Sequence, residues 1–255
     1  MPAFAGFVLA VALAAPAAPA RAACSKPMTM VAEHYPPYLF EDPAEPGLDV
    51  KLARAIFEEA GCQLIVAPAM PPLARWDYFA QGKFDVMTGV SDVAERRSFA
   101  RFSLPYRQER VAVFMRAADA ATLGDVDSFE SMRERHLTML VPRTGWYGSE
   151  YESRKAALMS AGVLTEFTTI NQGVQRLKAG RAAFIMADEV TVRYECERFS
   201  VRVRALPIRV NDAPVHLILS KASTTEDDIA RLNAAIARLE ARGALEAIRR
   251  PYSLR

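Results

Sequence analysis

One segment of the chain, residues 85–106, contains residue types that together can bind a small anion. It reads DVMTGVSDVAERRSFARFSLPY, in which Gly89 and Ser91 end a strand-like apolar run and an arginine-rich turn follows. Backbone N–H groups at the start of a helix and a bidentate arginine are two simple ways for a protein to bind a carboxylate. We therefore expect this segment to bind the acidic end of a small molecule.

Positioning that segment requires a regular scaffold, and the sequence predicts alternating strands and helices. Residues 48–61 form the clearest helix, because Val50, Ile56 and Phe57 keep a helical period and Gly61 suits the position after its end. The predicted strands are residues 26–32, 63–68, 84–88, 110–116, 137–141, 164–168, 182–186 and 215–220. The other predicted helices are residues 74–81, 149–160, 172–180 and one that begins after Thr224 or Thr225 and stops at Gly243. This alternation is typical of an α/β fold with mainly parallel sheets.

The predicted elements form two similar series, one before and one after a polar connection at residues 117–127. Two such series and a returning tail predict two lobes joined by a pair of crossing segments. We expect residues 23–112 and 208–255 to form the first lobe and residues 113–207 the second. A ligand would then bind in the cleft between the lobes, at the carboxyl ends of both sheets.

The N-terminus has the features of an export signal. Residues 4–15 are apolar but too few to span a bilayer, and an Ala-Arg-Ala cleavage pattern follows at residues 20–22. The sequence therefore predicts a signal peptide over residues 1–22 and a periplasmic mature protein, although the usual basic residues before the apolar run are missing. A buried N-terminal helix and a lipoprotein anchored through Cys24 are weaker alternatives.

Export makes a disulfide plausible on chemical grounds. Cys24 and Cys62 each precede a strand of one predicted βαβ unit, so they fall at the same end of neighbouring parallel strands. We expect them to form a disulfide in an oxidising compartment, which leaves Cys196 as a half-buried thiol.

Composition excludes several classes of function. The formal net charge is +2, so the chain offers no bulk attraction to nucleic acid. Its three histidines are scattered, and no metal cluster, phosphate loop or nucleophile elbow is recognisable. We expect no cofactor and no metal.

Four pieces in this order and spacing resemble the family 3 periplasmic solute-binding proteins, the amino-acid-type receptors of ABC importers. They are YPPY (35–38), GLDVKLARAIFEEAG (47–61), GKFDVMTGVSDVAERRSFARFSLPY (82–106) and GRAAFIMADEV (180–190). The resemblance covers roughly residues 26–250. It implies the two-lobed type II periplasmic-binding fold, in which hinge closure captures a solute.

The resemblance also implies roles for residues on the first lobe. Arg96 corresponds to the residue that binds the ligand's α-carboxylate, helped by Ser91 and by backbone N–H groups near Gly89. Tyr35 corresponds to the aromatic that stacks over the ligand, and Glu33 is expected to face the cleft beside it. The alternative for Arg96 is an ordinary solvated charge on a helix.

On the second lobe, the resemblance implies that Asp188 binds the ligand's ammonium group. The alternative is that Asp188 caps the next helix, and both roles can hold together. Gly145, Trp146 and Tyr147 correspond to the loop that contacts the ligand, with plain aromatic packing as the alternative.

Two positions depart from the family pattern and leave the ligand's identity open. Val93 stands where the family has a threonine, and Pro72 stands where a second aromatic would stack. Arg75 and Trp76 are near that place but out of register, so Trp76 is expected to pack its helix.

The expected function is extracytoplasmic binding of an amino acid or related carboxylate, without catalysis, for delivery to an ABC permease by a monomeric receptor. One alternative is an enzyme on the same fold, a periplasmic cyclohexadienyl dehydratase, with Glu33 or His34 as general acid. Another is a stand-alone solute sensor or accessory protein without a cognate importer.

Overall fold

A computed structural model describes residues 24–252. The predicted signal peptide lies outside these residues. The strands are β1 Met28–Val31, β2 Leu64–Ala67, β3 Val86–Val90, β4 Ala100–Arg116, β5 Met139–Pro142, β6 Leu164–Phe167, β7 Phe184–Asp188 and β8 Val203–Ser220. The α-helices are α1 Leu48–Ala60, α2 Arg75–Ala80, α3 Ala120–Leu123, α4 Phe129–Glu134, α5 Ser149–Ser160, α6 Ile170–Lys178, α7 Glu189–Arg198, α8 Glu226–Ala241 and α9 Ala244–Arg249. None of the helices in this part of the chain has the length and apolar character needed to cross a membrane.

The described strands form one sheet in the order β2-β1-β3-β8-β4-β7-β5-β6. The outer strands on each side are parallel, as the βα alternation predicts: β1 pairs with β2 and β3, and β5 pairs with β6 and β7. Between them, β4 and β8 run antiparallel to each other through both halves. These two strands are the crossing segments of a two-lobed periplasmic-binding fold.

The crossing strands are much longer than the sequence predicts. The predicted strand at residues 110–116 is the end of the 17-residue β4, and the one at 215–220 is the end of the 18-residue β8. The missed parts contain exposed charged residues and prolines, which hide a strand from pattern analysis. Register shifts between Phe102 and Arg107 and between Val111 and Phe114 bend the pair where it passes between the lobes.

The segment predicted to bind an anion contains a short helix of the 3₁₀ type. Arg96 lies in this helix, Ala94–Ser98, where the sequence predicts the start of a helix. Five residues of 3₁₀ helix provide fewer aligned N–H groups than a full α-helix, so the arginine side chain has the larger part in any anion site here.

The apolar core consists of four clusters, two for each half of the sheet. One cluster packs α1 and α8 on β1, around Leu52, Ile56 and Leu232, and another covers the opposite face around Phe79 and Phe84. The other two clusters lie on the two faces of the second half and use residues from Val111 to Val210. Each half therefore has a core of its own. The exact lobe boundaries, residues 112/113 and 207/208, stay a prediction.

The predicted disulfide is confirmed. Cys24 and Cys62 are bonded, with their Cα atoms 5.1 Å apart, at the ends of the parallel strands β1 and β2. Closing a loop of 38 residues stabilises the fold by about 3–4 kcal/mol in the chain-entropy account. The third cysteine, Cys196, is fully buried rather than half-buried, and burial raises the pKa of its thiol to about 12.

Candidate functional site

A cavity of about 200 Å³ lies between the two lobes. It is smaller than the roughly 300–1,000 Å³ of sites for drug-sized ligands, which suits a small metabolite. Eight of the nine predicted ligand-binding residues line it: Glu33, Tyr35, Gly89, Ser91, Arg96, Gly145, Trp146 and Tyr147. Asp188 does not line it, although the preceding residue, Ala187, does. The structure thus brings together residues far apart in sequence, at the ends of β1, β3 and β5.

Arg96 is the half-buried cation of this cleft. Its Nη1 donates to the backbone carbonyl of Ser91 at 2.9 Å, and its guanidinium lies 4.6 Å from the centre of the Trp76 ring. Burial lowers the pKa of Arg96, so the charge is held in a poorly solvated place. None of the described carboxylates lies within ion-pair distance of it. A half-buried guanidinium without a counter-charge is suited to bind an incoming carboxylate.

Gly89 supports this side of the cleft by its backbone. Its φ of +66° is in the left-handed region, and a Cβ there would lie 2.8 Å from Nη2 of Arg107, so only glycine fits without displacement. Its N–H, however, already donates to the Tyr106 hydroxyl at 2.8 Å. Side chains can supply further donors at the site. Thr88 supplies one such group, because its buried hydroxyl lines the cleft with no partner in the described chain.

Two residues that the dehydratase alternative proposed as general acids are engaged elsewhere. Glu33 forms an ion pair with Arg75, and His34 contacts a carboxylate oxygen of the fully buried Glu195 at 3.2 Å. Burial lowers the pKa of Arg75 to about 10, a value at which the side chain is still a cation at neutral pH. Glu33 and Arg75 therefore neutralise each other within the cleft, and neither is free to act as an acid.

The second lobe contributes a loop after β5. Tyr147 donates its hydroxyl to the carbonyl of Thr144 at 2.8 Å and packs edge-on against Tyr151, so it is both a core aromatic and a cleft residue. Burial, followed by the nearby Glu109 carboxyl, raises the pKa of Tyr147 above its ordinary value. The neutral phenol thus lines the cleft from the second lobe.

Asp188 ends β7 and caps α7. Its Oδ1 accepts from the Thr191 backbone N–H at 2.9 Å, and its Oδ2 accepts from the Tyr38 hydroxyl at 3.3 Å. The capping alternative is thus observed, and the predicted ammonium-binding role stays a prediction. Burial raises the pKa of Asp188 to about 6, while Arg107 acts in the opposite direction.

Sequence reasoning missed Glu109, which lines the cavity and is only 6% exposed. It lies in β4, where Arg107 and Val111 on the same face are also buried, while Gln108 and Arg110 are exposed. Burial, reinforced by Asp188, raises the pKa of Glu109 to about 8. This alternation of buried and exposed residues is visible in the sequence. It was missed because the predicted strand began at residue 110, one residue after Glu109.

The prediction for Trp76, that it packs its own helix, was incomplete. It packs edge-on against Phe99, as expected of a helix-packing aromatic, and it lines the cleft beneath Arg96 as well. Pro72, at the family's second stacking position, lines the cleft too. The indole of Trp76 thus lines the cleft from a position four residues after the family's second stacking position.

A second, more open cavity of about 600 Å³ lies near Tyr106 and the C-terminal helices. Its charged residues are already matched: Arg249 pairs with Glu240 and Glu246, and Arg107 pairs with Asp49. Since the cleft presents unmatched charges and this cavity does not, the cleft is the better candidate site. Among residues 24–252, no cluster of histidine, cysteine and acidic side chains could hold a metal ion.

Comparisons with known proteins agree with this geometry. A curated relative, the cyclohexadienyl dehydratase of Pseudomonas aeruginosa, is 26% identical over 159 residues; the match spans 62% of this chain and 56% of the dehydratase.

Solved structures share the fold at low identity. A histidine kinase sensor domain similar to periplasmic binding proteins is 20% identical with a TM-score of 0.75, covering 90% of this chain and 96% of that one. The substrate-binding protein AbpA of an amino acid ABC transporter from Streptococcus pneumoniae, bound to L-arginine, is 19% identical with a TM-score of 0.70, covering 89% and 94%. AncCDT-1, an ancestral amino acid-binding protein and precursor of cyclohexadienyl dehydratase, is 18% identical with a TM-score of 0.70, covering 89% and 95%.

The most extensive agreement is with a family profile. The profile of the bacterial extracellular solute-binding proteins, family 3, matches residues 28–254, which is nearly all of the chain after the predicted signal peptide. Its span includes both lobes, the crossing strands and every predicted ligand-binding residue. The chain belongs to the bacterial extracellular solute-binding proteins of family 3.

Proposed function

We propose that the protein binds a small amino-acid-like carboxylate outside the cytoplasm and delivers it to an ABC importer. The observation that carries this proposal is the half-buried guanidinium of Arg96, which has no carboxylate partner in the described chain and lies in a cleft between two lobes. A carboxylate placed there would gain a charged hydrogen bond in a poorly solvated site. The amino-acid-binding proteins among the structural relatives support the same class of solute.

Each lobe has a part in this function. Arg96, Ser91 and Thr88 would hold the carboxylate, with Gly89 shaping the backbone, while Tyr35 and the Glu33–Arg75 pair form the neighbouring wall. The loop of Gly145, Trp146 and Tyr147 closes over the solute from the second lobe. Asp188 is proposed to act on the ammonium side. Because the paired strands β4 and β8 pass between the lobes, bending there would open and close the cleft.

The test is a thermal-shift screen of the mature protein against amino acids, polyamines and small carboxylates, followed by calorimetry of the best solute. A solute at about a thousand times its dissociation constant stabilises the folded state by roughly 4 kcal/mol, a readable shift. Arg96→Ala should weaken binding by about 30-fold or more, since a buried charged hydrogen bond is lost.

Arg97→Ala is the matched control. Arg97 is exposed and pairs with Asp92, so its loss removes a neighbouring positive charge without touching the cleft. Equal affinities of the Arg96 variant and the wild type would remove Arg96 from the site and refute the proposal.

A second candidate function is a dehydratase, and Glu109 is the observation that favours it. With a pKa of about 8, this carboxyl is largely protonated at neutral pH and lines the cleft, as a general acid for loss of a hydroxyl must. If prephenate or arogenate is consumed by the wild type and not by Glu109→Gln, the enzyme function is correct and the transport proposal is wrong.

A further inference from the structure

The buried acids around Glu109 outnumber the cations that can neutralise them. Arg107 is matched by Asp49, which accepts from Nε at 2.7 Å and from Nη2 at 3.0 Å. Glu109 and Asp188 then remain as two further buried carboxyls, and neither lies within ion-pair distance of a cation in residues 24–252. An ionised carboxyl that is buried without a counter-ion costs free energy. The cost falls if the group is protonated or if a cation binds beside it.

The pairing of β4 with β7 places the Glu109 and Asp188 carboxyls on the same face of the sheet. Asp188 of β7 is directly opposite Val111 of β4, and Glu109 is two residues before Val111, so both side chains lie on one face of neighbouring strands. Glu109 lines the cavity and is nine-tenths buried, whereas the oxygens of Asp188 are occupied by Thr191 and Tyr38. Glu109 is therefore the carboxyl of this pair that a solute can reach.

Resting on the proposed binding function, we propose that Glu109 is a specificity-determining residue: its carboxylate binds a cationic group of the solute and selects for solutes that have one. Among the buried and half-buried charges that line the cleft in residues 24–252, Arg96 and Glu109 are then the two without an ion-pair partner, one for each end of a zwitterion; Glu41, which also lines it, is exposed. The ligand class is an amino acid or another ammonium-bearing carboxylate. The nearby Asp188 carboxylate adds to the negative potential around Glu109 while it still accepts the capping bond from Thr191.

A proton is linked to this recognition. Burial and Asp188 raise the pKa of Glu109 to about 8, so the carboxyl is mainly neutral at about pH 7. The groups that face it are Asp188 of β7, Arg107 of β4, Asp49 of α1 and Arg96, with the phenols of Tyr35 and Tyr147 beside it. An ammonium group favours the ionised form, so its binding releases close to one proton.

The experiment uses matched solutes in which a neutral hydroxyl replaces the ammonium. The pairs are L-alanine with L-lactate, L-phenylalanine with L-phenyllactate, and L-glutamate with L-hydroxyglutarate, measured by calorimetry with the mature protein. We expect the amino acid of the best-binding pair to bind at least about 30-fold more tightly than its hydroxy analogue. Glu109→Gln should remove most of that difference by weakening the amino acid alone.

Controls separate selectivity from folding and from net charge. Glu45→Gln makes the same side-chain exchange at an exposed position and should leave the ratio unchanged. The melting temperature of Glu109→Gln without solute shows whether the variant folds. Wild-type titrations in buffers of different ionisation enthalpy need no variant, and should show close to one proton released at about pH 7 and less at about pH 9.

The outcomes distinguish this inference from the function on which it rests. An unchanged preference for the amine in Glu109→Gln, or equal binding of amino and hydroxy acids by the wild type through Arg96, overturns the inference and leaves the binding function in place. Failure of every solute to bind, with Arg96→Ala indistinguishable from the wild type, overturns both.

Discussion

Arg107 and Glu109 lie two residues apart on the same buried face of β4, and they differ in whether the protein supplies a partner. Arg107 is 6% exposed, donates twice to Asp49, and its guanidinium lies 3.9 Å from the centre of the Tyr38 ring. Glu109 is equally buried, and no cation in the described chain lies within ion-pair distance of it. One charge is therefore part of the scaffold, and the other is left available to a solute.

This difference follows from position along the strand. Arg107 is opposite α1, whose first turn contains Asp49, so the first lobe completes the pair within itself. Glu109 lies two residues further along β4, lines the cleft and has no such partner in the first lobe as described. Removing a matched charge and removing an unmatched one should have opposite effects on folding, and variants can test that contrast.

The largest expected effect is on the matched charge. Asp49→Ala leaves the Arg107 guanidinium buried without a counter-ion, and we expect a loss of about 3–5 kcal/mol in the free energy of unfolding. Urea denaturation followed by circular dichroism measures it.

The double variant Asp49→Leu with Arg107→Met serves as the control, since replacing both partners by apolar groups avoids the unpaired charge. It should be more stable than Asp49→Ala alone. A loss below about 1 kcal/mol for Asp49→Ala would show that the pair is a minor part of the scaffold.

The unmatched charge should behave in the opposite way. The folded pKa of Glu109, about 8, lies above its unfolded value of about 4.3, so the unfolded state loses its proton first. The stability contributed by this group is present below about pH 4 and falls by up to about 1.4 kcal/mol per pH unit until the folded state ionises near pH 8. Glu109→Gln removes that penalty and should stabilise the solute-free protein by roughly 2 kcal/mol or more at about pH 8.

The measurement is the stability difference between Glu109→Gln and the wild type as a function of pH. The difference should grow between about pH 5 and pH 8 and then level off, whereas for the exposed Glu45→Gln it should stay near zero. A variant that is less stable than the wild type across this range would contradict the unmatched state of Glu109.

Much of the scaffold was predictable from the sequence because hydrophobic periodicity sets it. Helix α1 begins and ends where its period and Gly61 indicate, and the disulfide follows from two cysteines before neighbouring parallel strands. The grouping of Gly89, Ser91 and Arg96 at the cleft was predictable, since these residues are close in sequence. Eight of the nine ligand-binding residues named from the sequence do line the cleft.

The charge balance of the cleft was not predictable, because it depends on contacts between distant residues. Glu33 and His34 have the chemistry of acids, but each already contacts another side chain. Glu33 pairs with Arg75, and His34 contacts Glu195. Glu109 has no local motif, and its burial results from the register of β4 between β7 and β8. Which charges stay unmatched is a property of the assembled sheet and cannot be read from a window of sequence.

The smallest expected effect concerns Asp188, which is intermediate between the matched and the unmatched charge. Its Oδ2 accepts a long bond from the Tyr38 hydroxyl, at 3.3 Å, so Tyr38→Phe removes one hydrogen bond and keeps the ring beneath Arg107. That bond favours the ionised form and lowers the pKa of Asp188, so its loss should move the pKa upward from about 6. We expect a cost of about 1 kcal/mol in unfolding free energy at about pH 8 and a smaller cost near pH 5, where Asp188 is protonated in the folded state. Equal stabilities of Tyr38→Phe and the wild type at both pH values would mean that the Thr191 cap alone holds Asp188, and that this carboxyl belongs with Arg107 among the charges fixed by the scaffold.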